Sequence, residues 1–144
     1  MMTLRLLTIP MLLMLVCVAG AEPTSSWDRE SSYNQLFDTQ KIETIKGTIT
    51  AISSYTIPDG AVKGVQLTIN NDGNPITVHL GPEWYIQNQA KQFEIGEKVT
   101  VKGSHVDFEG SPVLLALAVV MDSHMLVLRS ASGAPVWAGW QSMR

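Results

Sequence analysis

The sequence is 144 residues long, 45% hydrophobic and 16% charged, with a formal net charge of −3. That length bounds the chain at one modest domain. Its mildly acidic balance argues against general nucleic-acid binding, which needs clustered Lys and Arg to displace counterions, and a single cysteine rules out a disulfide framework.

Residues 1–21 carry the marks of a signal peptide. Met1–Thr3 and Arg5 form a short basic start, Leu6 to Val18 is apolar, and Ala19-Gly20-Ala21 supplies an A-x-A cleavage site. The apolar run is short for a membrane span, and no second one follows. Cleavage after Ala21 would remove Cys17 and Arg5, leaving a cysteine-free chain of charge −4 with no membrane anchor. The address expected is periplasmic or secreted. Residues 22–40 read as a polar, flexible lead-in, with Tyr33, Leu36 and Phe37 packing as a flap and Trp27 exposed.

From Glu43 a period of two sets in. Ile45, Gly47, Ile49 and Ala51 share one face, and Thr44, Lys46, Thr48 and Thr50 the other. Gly47 inside such a run predicts a bulge or tight bend. Pro58-Asp59-Gly60 is a turn. Val65, Leu67 and Ile69 predict a second strand, Asn70 to Asn74 a hairpin loop, and Ile76, Val78 and Leu80 a third strand from which His79 points outward.

Gly81-Pro82-Glu83 then starts a helix. Pro82 is suited to the first helical position, and Glu83 to the positive helix end. The helix is expected to run to about Gln89 or Lys91. Phe93 to Lys98 turns into a fourth strand with Val99 and Val101 inward, Gly103 as a second bending point and His105 at its end. Asp107 to Pro112 makes a solvated hairpin. Val113 to Met121 is almost wholly apolar, as a strand buried on both sides would be. Asp122-Ser123-His124 turns the chain, and Met125 to Arg129 is an optional sixth strand. Three strands, a helix, then two or three strands predict an all-β fold with one short helix, a five- to six-stranded OB-fold-like barrel over residues 41–129. Residues 130–144 form a tail packing on it.

Two runs, Val78-His79-Leu80-Gly81-Pro82-Glu83-Trp84-Tyr85-Ile86 and Leu128-Arg129 with Gly133-Ala134-Pro135-Val136-Trp137-Ala138-Gly139-Trp140, resemble signatures of small exported bacterial OB-fold-like proteins. The resemblance spans roughly Tyr33 to Trp140 and implies the fold and the exported location, not an activity.

Chemistry is sparsely signalled. His79, His105 and His124 are the three histidines, none paired at metal-ligand spacing. Asp107-Phe108-Glu109-Gly110 lacks the carboxylates of a calcium loop. No nucleophile motif is present, so no catalytic residue, metal site or cofactor is assigned. The aromatics are the fuller set: His79, Trp84, Tyr85 and Trp137 are the candidate ligand-binding residues, since amphipathic rings at a barrel mouth can stack on ligands. The competing reading, and the one favoured, makes Trp84 a barrel plug and the tail tryptophans a clamp. The function expected is a non-catalytic exported binding or accessory module for a small ligand or an exported protein partner. A metal- or haem-handling accessory protein is the alternative, and nucleic-acid or oligosaccharide binding a weaker one.

Overall fold

The computed structural model describes residues 27–58 and 62–138. The expected signal peptide, most of the expected Pro58–Gly60 turn and Trp140 lie outside the described residues. Six strands follow one another: β1 (Ile42–Tyr55), β2 (Gly64–Asn71), β3 (Asn74–Pro82), β4 (Lys98–Phe108), β5 (Ser111–Met121) and β6 (His124–Val127), with α1 (Glu83–Ile86) between β3 and β4. The sheet order is β3-β2-β1-β4-β5-β6, and a parallel pairing of β3 with β5 brings five strands into a ring. The architecture is therefore the barrel-like β fold with one short helix that the element order predicts, and the sixth strand is present.

Local chemistry explains the connections. Asp72 and Gly73 take positive φ between Asn71 and Asn74, and Glu109 and Gly110 do so between Phe108 and Ser111. Both are two-residue hairpins whose left-handed turns match strand twist. Gly47 and Gly103 sit where a Cβ would meet a neighbouring carbonyl, of Asn70 and Leu115 respectively. They are the close-approach points expected of bent strands.

The core follows from alternation. Ile45, Ile49, Val99, Val101, Val119 and Met121 are buried, while Lys46, Lys98 and Lys102 between them are exposed. β5 borders β4, β6 and β3, and Leu114, Leu115 and Ala116 are fully enclosed.

Three local expectations are corrected. Pro82 is the N-cap, with ψ at 143°, and the helix begins at Glu83. It ends after one turn at Ile86 because side-chain amides take carbonyls that a longer helix would use: Asn88 donates to Trp84 O and Gln89 to Tyr85 O. His105 lies inside β4 and not at its end, since β4 goes on pairing with β5 in regular register to Phe108. Finally, α1 buries Tyr85 and Ile86, whereas Trp84 is half-buried on its flank, so Trp84 is not the plug.

Candidate functional site

The site begins with a change of phase in β1. Up to Thr48 the strand pairs with β4; from there it pairs with β2, and the register slips between Ile49 and Ala51. The slip is held by the turn before β4: Ile49 N–H donates to Glu97 O at 2.9 Å, and Ile49 O accepts from Gly96 N–H at 2.7 Å. A slip of one residue swaps faces, because side chains alternate with a period of two. Ala51 thus pairs with outward Thr68, against the expectation that it shares a face with Ile49. Tyr55 is likewise turned outward, opposite Gly64.

His79 reaches the same outer face from β3, paired with Gln66. The Tyr55 and His79 rings stack with centroids 3.7 Å apart and planes 15° off parallel. Gly64 makes room for the stack, since a Cβ there would run into the Tyr55 and Trp27 rings. Phe108, at the end of β4, meets His79 edge-on at 5.1 Å.

The terminal segments close over this pair. Tyr33 places its hydroxyl 2.8 Å from Tyr55 Oη and 2.9 Å from His79 Nδ1. Trp27 packs edge-on against Tyr33 and Tyr55 and donates its indole N–H to Val62 O at 3.0 Å. From the other end, Trp137 donates its indole N–H to Trp27 O at 2.9 Å and lies over Gly81, where a Cβ would sit 2.9 Å from the ring. Two expectations are corrected here. Trp27 is only 1% exposed, and His79, expected to face solvent, is 3% exposed. Both follow from one cause: the segment before β1 is a packed cover with a 3-10 turn at Asn34–Leu36, and it shields the outer face of β2 and β3.

Behind the aromatics lies Arg129, 2% exposed. Its guanidinium donates to Gly133 O at 3.1 Å and Asn34 Oδ1 at 2.8 Å, and packs 5.3 Å from the Phe37 ring and 5.2 Å from the Trp137 ring. Burial and the nearby Arg129 charge push the His79 pKa down to about 4. Burial raises both the Tyr33 and Tyr55 hydroxyls above their ordinary value. Around neutrality the chain is therefore two phenols and one neutral imidazole. With Tyr33 donating to Nδ1, Nε2 carries the ring proton; with the direction reversed, Nε2 is an acceptor. Either way Nε2 makes no hydrogen bond among the described residues and is the free edge of the ring.

His79 lines a pocket of about 420 Å³ together with Tyr55, Gln66, Thr77, Phe108 and Glu109. Its lining mixes aromatic rings with polar side chains, a composition suited to orienting a small polar group.

The structure places the four candidate residues unevenly. His79 sits at the pocket. Tyr85 and Trp137 meet at 5.9 Å but are both buried, and Trp84 contacts Tyr85 at 6.1 Å from outside the cluster. They do not form one surface. Sequence reasoning missed Tyr55, Phe108 and Arg129. Gly64, a small residue directly at the start of a strand, was the available signal for a ring above it.

The family model matching the chain covers residues 41–126, more than half of it. The chain belongs to the MamS/MamX magnetosome protein family. No curated protein matches it. The span shared with the MamS/MamX family includes Tyr55, His79 and Phe108, and runs from just before β1 into β6. Of the two runs behind the resemblance to small exported proteins, Val78–Ile86 lies within that span and Leu128–Trp140 beyond it.

Proposed function

We propose that the protein is an exported, non-catalytic accessory module of the magnetosome, an OB-fold-like barrel that binds a small ligand or a partner's polar side chain at the His79 pocket. Membership of the MamS/MamX magnetosome family supports the setting, and the leader-like residues 1–21 support export. The observation that carries the pocket is the pose of His79. Its Nδ1 is tied to Tyr33, one face is stacked on Tyr55, Nε2 makes no hydrogen bond among the described residues, and the residue lines the pocket. A neutral imidazole held this rigidly is a hydrogen-bonding group of fixed direction, which serves recognition.

The test is complementation of a deletion strain with the wild type and with Thr77→Trp, which fills the pocket from a half-buried position. The wild type should co-fractionate with magnetosomes and restore them. The variant should co-fractionate equally yet fail to restore. Full restoration by Thr77→Trp would remove the pocket from the account; a wild type absent from the magnetosome fraction would remove the accessory role.

A second reading, metal or haem handling, rests on His79 and Glu109 lining the same pocket. Among the described residues no group of three His, Cys, Asp or Glu is gathered to hold a metal, so the pocket would give at most two ligands and the cargo or solvent the rest. Titration with Cu(II), Zn(II) and haem decides it. A stoichiometric spectral change lost in His79→Gln would support this reading, and no change would dismiss it.

A further inference from the structure

We propose that the outer face of β1, β4, β5 and β6 is a docking surface for an amphipathic helix of a partner protein with one apolar and one acidic flank. It is a different surface from the His79 pocket and does not depend on it.

The strand registers place the face. Lys46 pairs with Thr100, Thr48 with Lys98 and Thr44 with Lys102, and cross-strand partners share a face. Lys46 therefore has a lysine on each diagonal, Lys98 and Lys102. Among the described residues the ion pair formed is Lys91–Glu97, so none of these three lysines is in a salt bridge there. The same face continues onto β5 and β6 without an acidic residue. Thr100 pairs with Val120 and Lys102 with Ala118, and these pair in turn with Met125 and Val127. Met125 is 66% exposed and Val127 44%. One half of the face is thus cationic and the other apolar.

Geometry selects the occupant. Neighbouring strands are about 4.8 Å apart, so β4 and β6 lie about 10 Å apart, close to the width of a helix. A helix lying along β5 would rest one flank on Met125 and Val127 and the other on Lys98 and Lys102. Charge complementarity makes that second flank acidic. Between the β2–β3 hairpin and the β5–β6 turn the face sinks into a groove of about 650 Å³, lined by Lys46, Thr48, Lys98, Thr100 and Val120. Asp72, in the β2–β3 hairpin, and Asp122, in the β5–β6 turn, also line it. These two carboxylates would repel an anionic bilayer laid flat across the face, whereas a single Glu or Asp side chain can enter between them to reach the lysines. Protein, not lipid, is therefore the partner favoured.

The test uses the protein purified from its host, a synthetic amphipathic helix with Leu on one flank and Glu on the other, its Lys-flanked counterpart, and phosphatidylglycerol vesicles. Amide shift mapping should place the Glu-flanked helix on β4–β6. Its affinity should fall tenfold or more in Lys46→Glu/Lys98→Glu/Lys102→Glu, and again in Met125→Ser/Val127→Ser, and should weaken as salt is raised. All five positions are exposed, so both variants should keep the wild-type melting curve, which separates lost docking from lost folding. No binding at millimolar helix, equal binding of the Lys-flanked helix, indifference to the lysine reversals, or binding to vesicles in preference to the helix would each overturn the proposal.

Discussion

The two outer faces of this barrel are made from the same strand grammar and end in opposite states. Over the end of β1 and over β2 and β3 the outward residues Tyr55 and His79 are buried beneath Trp27 and Tyr33, with Trp137 closing on Trp27. Over β4, β5 and β6 the outward residues Lys98, Lys102, Met125 and Val127 are exposed. The difference lies in the terminal segments, not in the strands. Residues 27–37 and 128–137 are both committed to the first face, tied to each other by Trp137 to Trp27, Arg129 to Asn34 and the Trp27–Trp137 edge contact at 6.1 Å. A covered outer face is a second hydrophobic layer, and such a layer stabilises. An uncovered one with unpaired lysines contributes little to stability and is available for contact.

Removing the cover should therefore give the largest effect. Trp137→Ala and Trp27→Ala should each cost about 3–5 kcal/mol, the range for large buried aromatics, a major part of a small domain's stability. Trp84→Ala should cost clearly less, since Trp84 is only half-buried. Because Trp27 and Trp137 touch, the double variant should be less destabilised than the sum of the singles, by about 0.5–3 kcal/mol. Urea denaturation of the four proteins checks the order. Strict additivity would mean the two termini cover the face independently.

A middle-sized effect should come from acid. The folded His79 pKa is held near 4, below the 6.5 expected unfolded. Between these values the unfolded chain binds more protons than the folded one, so stability rises with pH across the window. Going down from pH 6.5 towards 4, His79 should therefore remove up to about 3 kcal/mol. Above 6.5 and below 4 its contribution to the slope vanishes. His79→Phe keeps the stacking partner and lacks the titration. Its stability should be flatter than wild type over the same window, with carboxylate effects common to both proteins. Parallel curves would show that the imidazole is no more shielded folded than unfolded.

Which parts of this were legible in the sequence follows the same division. The barrel half obeys period two, so Ile45, Ile49, Val99 and Val101 could be set inward by counting, and the Asp72-Gly73 and Glu109-Gly110 hairpins by their turn residues. The covered face breaks the count twice. A bulge at Thr50 moves Tyr55 outward, and its anchor is a backbone contact with Gly96 and Glu97, far along the chain, which no local pattern encodes. The cover itself comes from residues 27–37, where Tyr33, Leu36 and Phe37 read as a flap but Trp27, among polar neighbours, reads as exposed. Its buried amide, Asn34, is satisfied by the carbonyls of Trp27 and Asp28 and by Arg129, a network visible only once the termini meet. His79 was expected to face water and is buried instead, for the same reason.

The smallest effect, and the one that sharpens the contrast, should come from the open face. Lys46 has Lys98 and Lys102 as diagonal neighbours, and side chains at that spacing interact. In the isolated protein three like charges repel, so Lys46→Gln should leave stability within about 0.5 kcal/mol of wild type. The sign of that small change is informative: relief of repulsion makes it stabilising at low salt. Screening with a Debye length of about 3 Å at 1 M salt should erase the gain. A core or cover position behaves in the opposite way, with a large loss that salt does not remove. Denaturation midpoints of Lys46→Gln at low and high salt, set beside Trp137→Ala under the same conditions, compare the two faces directly. A Lys46→Gln loss above 1 kcal/mol that persists in 1 M salt would mean that the lysine face is part of the folded architecture, and the division between a structural and an open face would fail.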